Sequence, residues 1–95
     1  MIELVSERPD RVVCRPVGDL DIYSVDAFRR VIGDVTRSGV ALKIDLMHLT
    51  YIDVVGARAI SNASGYVSSG GSPTLVVGGT RAIRRMVDYA SERSS

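Results

Sequence analysis

Two aspartates lie close together in the segment GDLD, residues 18–21, and are the first candidates for chemistry. Asp19 and Asp21 could act as an acid–base pair, or their oxygens could bind a cation. Acidic side chains in a surface loop are more often simply hydrated. We therefore do not predict a catalytic pair or a metal site at this loop.

Other catalytic groups are scarce. His48 is the one histidine and Cys14 the one cysteine of the chain, and their separation rules out a metal-ligand cluster of useful spacing. None of the serines stands in a Gly-x-Ser-x-Gly or Ser-x-x-Lys motif. The sequence thus predicts a protein that is not an enzyme and has neither cofactor nor metal, with Cys14 simply buried.

The segment VVGGTR, residues 76–81, joins a predicted strand to a predicted helix. Helix N-termini attract anions, but this segment lacks the glycine patterns of nucleotide-binding loops. A structural turn is the favoured interpretation, and a small-ligand sensor that uses this turn is a weaker alternative. The following helix carries Arg81 in its first turn, against the helix dipole, and an expected Arg84–Asp88 pair.

The segment YIDVVG, residues 51–56, is a strand that leads directly into a helix. An aspartate at such a junction is a favourable N-cap, and a glycine in the first turn permits close packing. We expect Asp53 to cap the helix and Gly56 to allow another segment to approach it. Val54 and Val55 fill the positions between them.

The elements that position these residues follow from hydrophobic spacing, which alternates helices and strands after an opening β-hairpin. This order predicts an α/β fold: a small mixed, mostly parallel sheet with alternating helices, in one domain of residues 1–95. Ser24 and Thr80 are the expected N-caps of the first and third helices. Strands are predicted at 2–7, 11–17, 40–46 and 73–78, helices near 24–37, 54–68 and 80–91, and a loop at 18–21.

Bulk properties exclude several functions. A net charge of +1 gives no electrostatic basis for binding nucleic acid or an anionic membrane surface. No apolar run approaches the roughly 20 residues of a membrane-spanning helix, and the first residues lack a signal-peptide core. We expect a cytoplasmic protein without membrane insertion.

Three segments in register resemble the STAS domain family, which includes the anti-sigma factor antagonists. They are GDLDIYSVDAF, LKIDLMHLTYIDVVGARAI and GGSPTLVVGGTRAIRRMVD, and the resemblance extends from about residue 11 to residue 90. In the antagonists, a serine directly after an aspartate is phosphorylated by the anti-sigma factor, which is itself a kinase. The unphosphorylated domain binds that kinase and displaces the sigma factor.

Carried over by position, Asp21 matches the loop aspartate of the antagonists, and Asp53 matches the aspartate before the phosphoserine. Val54 occupies the position of the phosphoserine, so the resemblance implies transcription regulation by protein interaction without this phospho-switch. Ser24 and Thr50 are the hydroxyls nearest the expected contact surface. That surface comprises Asp21, Tyr23, Ser24, Asp53, Val54, Val55, Gly56 and Arg58.

The resemblance implies as partner an anti-sigma factor or a related GHKL-type kinase. The alternative is a STAS subunit of a transporter or scaffold complex that binds an ABC ATPase. Family members commonly continue through another strand and helix, whereas this sequence ends at Ser95. We therefore expect an exposed sheet edge, through which a homodimer could form.

Overall fold

The structure is a computed structural model that describes residues 1–93. The end of the predicted domain, at residue 95, lies outside the described residues. In chain order the elements are β1 (Ile2–Arg8), β2 (Arg11–Pro16), β3 (Gly18–Leu20), α1 (Val25–Ser38), β4 (Ala41–Asp45), β5 (Leu49–Ile52), α2 (Val54–Ala63), β6 (Leu75–Val77) and α3 (Arg81–Arg93).

The main sheet has four strands in the order β1-β2-β4-β6. Strand β1 pairs antiparallel with β2, as the predicted hairpin requires, and β2–β4 and β4–β6 are parallel. Cys14 lies opposite Ile44, which in turn lies opposite Val76. The predicted fold class, a mixed and mostly parallel sheet with an opening hairpin, is confirmed.

One face of this sheet and the three helices form the hydrophobic core. The helical spacing of five apolar residues in the sequence predicts the buried face of α1, namely Val25, Phe28, Val31, Ile32 and Val35. Four of them are buried in the core cluster, and Val31 is half-buried against it. Helix α2 contributes small side chains, and its alanines allow it to pack closely against α1 and α3. Cys14 is buried as expected, and desolvation raises the pKa of its thiol to about 11.

The opposite face of the sheet carries charged side chains in cross-strand pairs. Arg15 donates a hydrogen bond from Nε to Oδ2 of Asp45 at 3.2 Å, and Lys43 lies 3.2 Å from Glu7. The long side chains of this face cover small ones, because Val13 between them is buried. This face is therefore mixed, because Val5 and Leu75 lie on it beside the charged pairs and are 45% and 40% exposed.

A second, two-stranded sheet was not foreseen. Strands β3 and β5 pair in parallel, with Leu20 opposite Ile52, so the prediction of a loop at 18–21 was wrong for residues 18–20. Three residues are too short to show a strand period, and β3 is stabilised by a partner distant in sequence. Because both strands end side by side, the turn after β3 meets the start of α2.

Most other element ends lie within one or two residues of the predictions, and two elements are shorter than expected for identifiable reasons. Helix α2 ends at Ala63, five residues before the expected residue 68, and Gly65, a poor helix former, follows directly in a turn. Strand β6 covers Leu75–Val77 of the expected 73–78, because Pro73 cannot donate to a ladder and Gly78 has a positive φ of 74°. None of the helices in residues 1–93 is both long and apolar enough to cross a bilayer.

Candidate functional site

Asp53 joins the start of α2 to the turn after β3. Its Oδ1 accepts a hydrogen bond from the backbone N–H of Gly56 at 2.8 Å, the N-cap that the sequence predicted. Its Oδ2 accepts a second bond from the N–H of Ile22 at 3.0 Å. The backbone N–H of Asp53 also donates to the carbonyl of Leu20 at 3.3 Å. One carboxylate therefore holds two segments, 31 residues apart in sequence, in a fixed relation.

Asp21 organises the turn itself. Its Oδ1 accepts bonds from the N–H groups of Tyr23 at 3.0 Å and Ser24 at 3.2 Å, in an Asx-type turn. Its backbone carbonyl accepts from the N–H of Val25 at 2.8 Å, at the start of α1. The Asp19–Asp21 pair is thus not a free acid–base couple, because the Asp21 carboxylate satisfies backbone donors.

Ser24 stands at the N-cap of α1, as the sequence predicted, but the capping hydrogen bond expected of such a residue is absent. Its hydroxyl instead donates to the carbonyl of Asp19 at 3.0 Å and accepts from the N–H of Asp21 at 3.0 Å. The side chain is oriented toward the preceding turn because that turn offers both a donor and an acceptor.

Gly56 is the point of closest approach between α2 and β3. A Cβ atom at this position would lie 2.2 Å from the carbonyl oxygen of Leu20 and 3.1 Å from Cγ1 of Ile52. The closer contact involves backbone, which cannot rotate away as a long side chain could. Glycine at this position is therefore a packing requirement, as the sequence suggested, and its neighbour in space is β3.

Apolar side chains stand exposed around this junction. Tyr23 is 94% exposed, Ile22 61%, Tyr51 54% and Val54 41%. Because the Asp53 carboxylate binds the turn that contains Ile22 and Tyr23, these side chains stand on adjacent segments. We call Ile22, Tyr23, Tyr51 and Val54 the Val54 surface. Neighbouring exposed apolar groups of this kind are typical of interaction sites.

The remaining residues of the predicted surface have different environments. Arg58 is exposed one helical turn after Val54, whereas Val55 is half-buried and packs against the core. Gly56 is buried, so it shapes the junction without presenting a surface of its own. Asp21, Ser24 and Asp53 are half-buried and hold the turn in place, so they position the surface.

Two members of the Val54 surface, Ile22 and Tyr51, were missing from the predicted set. The sequence offered a partial signal for Tyr51, since it alternates with the buried residue Ile52 in β5. No such signal marked Ile22. Its position outside the core depends on the Asp53 bond, which only the folded chain makes.

The other residues that the sequence offered as candidates for chemistry lie outside the Val54 surface or have structural roles. His48 is exposed in the turn before β5, and its carbonyl accepts a bond from Gly18. In residues 1–93, no group of three or more histidine, cysteine, aspartate or glutamate side chains could hold a metal ion. Gly78 and Gly79 pack against the end of β4, where added Cβ atoms would lie within 3.0 Å of Asp45 and Leu46 respectively.

The sequence model of the STAS domain matches residues 3–91 of this chain. The chain belongs to the STAS domain family. Strand β3, the α2 junction and the Val54 surface all lie within the matched residues of the STAS domain. No curated protein matches the sequence at a significant level.

Solved structures with the same fold include anti-sigma factor antagonists. One from Mycobacterium paratuberculosis has a TM-score of 0.80 at 21% identity, and the match covers 99% of this STAS domain and 81% of that chain. The antagonist SpoIIAA in its unphosphorylated form has a TM-score of 0.75 at 19% identity, with 94% and 83% covered. The phosphorylated form of SpoIIAA from Bacillus also has a TM-score of 0.75, at 17% identity. That match covers 99% of this chain and 86% of the SpoIIAA chain. At these identities the likeness establishes the fold alone.

Proposed function

We propose that this STAS domain is a cytoplasmic protein-interaction domain of the anti-sigma factor antagonist type. Its partner is an anti-sigma factor or a related GHKL-type kinase, and no phosphorylation at the usual serine position regulates the complex. The observation that carries this proposal is Val54. It is an exposed residue at the first position of α2, where the antagonists that the sequence resembles have their phosphoserine.

The physical reasoning starts from the helix N-terminus. A phosphorylated hydroxyl at this position would carry a charge of about −1.5 to −2 close to N–H groups at the positive end of the helix dipole. That charge would oppose a partner surface that fits a neutral residue. Valine has no oxygen to modify, so the Val54 surface stays in one uncharged state. This state corresponds to the binding-competent, unphosphorylated form of an antagonist.

The geometry of the junction supports a contact surface rather than a reaction centre. Tyr23 and Val54 offer apolar area, while the carboxylates of Asp21 and Asp53 are occupied by backbone N–H groups. Arg58, one turn along α2, adds a cation at the rim. Large apolar side chains with a polar rim match the general composition of protein interfaces, in which aromatic residues and arginine are enriched.

Binding an ABC ATPase within a transport complex would suit the same surface, so identification of the partner decides between the two. The direct test is to titrate the purified domain with a candidate kinase, with and without ATP, and to measure the Kd by calorimetry. We expect the Kd to stay unchanged after incubation with ATP and the intact mass of the domain to stay unmodified. Binding to an ABC ATPase and to no kinase would favour the alternative.

The same experiment contains its own control. The Val54→Ser variant introduces a hydroxyl, and we expect it to be phosphorylated and released when ATP is present. Val54→Ala loses the same methyl groups, and we expect its Kd to be unaffected by ATP and its mass to stay unmodified. Ser24 and Thr50 are the serine and the threonine that we would expect to replace the usual serine as phosphorylation sites. Ser24 is held by hydrogen bonds within the turn, whereas Thr50 is exposed. Stoichiometric phosphorylation of either residue would refute the unregulated form of the proposal.

Self-association through the sheet edge is a separate part of the proposal. Strand β1 is the outer strand of the hairpin, and nearly all of its residues are exposed, including Leu4 and Val5. An edge strand of this kind can pair with a second copy. Analytical ultracentrifugation of the domain across a range of concentrations measures its oligomeric state directly. If the domain is monomeric at every concentration, the homodimer is ruled out.

A further inference from the structure

The charges on α3 are arranged against its own dipole. Arg81 stands in the first turn, which contains no acidic residue, and Asp88 lies in the second half of the helix. Helix α1 of the same domain has the stabilising arrangement, with Asp26 in its first turn and Arg37 in its last. The start of α3 is therefore a positive end that carries additional positive charge, which is unfavourable for the free domain.

Two arginines on α3 have no partner within residues 1–93. The side chains of Arg81 and Arg85, one helical turn apart and both exposed, make no ion pair or hydrogen bond with any residue that the structure describes. Arg84 differs, because it donates to the carbonyl of Val76 at 3.0 Å, so the expected Arg84–Asp88 pair is absent from the described ion pairs. On α1, by contrast, Arg29 pairs with Asp26 at 3.5 Å.

A groove runs beside these two arginines. One hollow of about 520 Å³ is lined by Arg81, Ala82, Arg85, Met86 and Tyr89. A second hollow of about 210 Å³ also contains Ala82 and Met86 and extends to Thr50 and Tyr51 of β5. The two hollows adjoin each other at these shared side chains, so together they offer an apolar surface with a cationic rim on one side. We call it the α3 groove.

We propose that the α3 groove binds an acidic segment of a partner protein, with two carboxylates about one helical turn apart and an apolar side chain between them. Charge complementarity selects this occupant. Arginine guanidinium groups bind carboxylates in a two-pronged geometry. Here two of them line the same hollow as Met86 and Ala82, which offer contact to an apolar side chain. The α3 groove lies apart from Val54 and adjoins the Val54 surface only at Tyr51, so the inference goes beyond the proposed function.

The test uses a labelled helical peptide of about three turns that carries glutamates one turn apart with leucines between them. NMR titration of the domain should shift the signals of Arg81, Arg85, Met86 and Tyr51 in a saturable way, and added salt should weaken binding. A peptide with lysines in place of the glutamates should not bind. Saturable shifts elsewhere, or equal binding of the lysine peptide, would overturn the proposal.

Charge reversal supplies the matched control. Arg85→Glu should weaken peptide binding by at least about tenfold, because it replaces attraction with repulsion at the rim. Arg30→Glu makes the same change of net charge at an exposed position of α1, away from the groove, and should alter the affinity by less than about twofold. Equal losses in both variants would show a non-specific charge effect and refute the site. Tighter binding of a single-stranded DNA oligomer than of the peptide would also refute it.

A stability measurement separates function from folding. Arg81→Glu places an acid at the positive end of α3, so the melting temperature should rise by about 2–6 °C while peptide binding weakens. A variant that is more stable yet binds less well cannot owe its loss of binding to unfolding. If Arg81→Glu leaves the affinity for the peptide unchanged, the first turn of α3 does not contact the peptide, and the proposal fails.

Discussion

Replacing Gly56 by alanine should destabilise the domain, although alanine favours helices. The added Cβ would lie 2.2 Å from the carbonyl oxygen of Leu20, below any normal contact distance, so α2 and β3 must move apart by about 1 Å. Overpacking of this kind costs about 1–3 kcal/mol and occasionally more. The movement also strains the bond from the N–H of Asp53 to the same carbonyl, at 3.3 Å.

The gain in helix propensity from glycine to alanine, about 1 kcal/mol, offsets part of this cost. We expect a net loss of about 1–2 kcal/mol in the free energy of unfolding, toward the upper end of what these two terms allow because the clash is with backbone. For a domain of this size that loss lowers the melting temperature by about 5–15 °C. Urea denaturation followed by far-UV circular dichroism measures the free energy of unfolding, and a thermal melt measures the melting temperature.

Gly33→Ala is the matched control, because it makes the same substitution inside α1. A Cβ at Gly33 would meet only the flexible end of the Arg37 side chain, at 3.3 Å. We therefore expect this variant to be more stable than the original chain by up to about 1 kcal/mol. If Gly56→Ala is as stable as Gly33→Ala, the close approach of α2 to β3 is not rigid and the packing argument is refuted.

Two further predictions concern Val54 and Cys14. Without ATP, Val54→Ser should weaken partner binding by no more than about 1–2 kcal/mol, the value of the buried methyl groups. Val54→Asp should weaken it far more, because it buries an unpaired charge. Both variants should melt at the same temperature as the original domain, because Val54 is exposed and an acid is tolerated at a helix N-terminus. If Val54→Asp unfolds the isolated domain, Val54 belongs to the core and not to an interface. Because burial raises the pKa of the Cys14 thiol to about 11 in the folded domain, the unfolded state loses its proton first, and stability should fall between about pH 9 and pH 11. Urea melts across that range should show a smaller fall in Cys14→Ala, and an equal fall would assign the loss to other groups.

Local patterns were sufficient for the helices and the hairpin. The stripe of Val25, Phe28 and Ile32 predicted the buried face of α1, because side chains three and four residues apart lie on one face of any helix. Asp53 was predictable as a cap for the same reason, since its bond to Gly56 spans one turn of chain. These features depend on neighbours in sequence, so the sequence determined them.

Contacts between distant segments were decided only by the tertiary structure. Strand β3 exists because β5 lies beside it, and Ile22 is held at the surface because Asp53 accepts its N–H. Likewise, Arg84 binds a carbonyl of β6 rather than Asp88. Each of these groups had more than one possible partner of similar strength, and only the packing of the helices on the sheet determined which partner lay within hydrogen-bond distance.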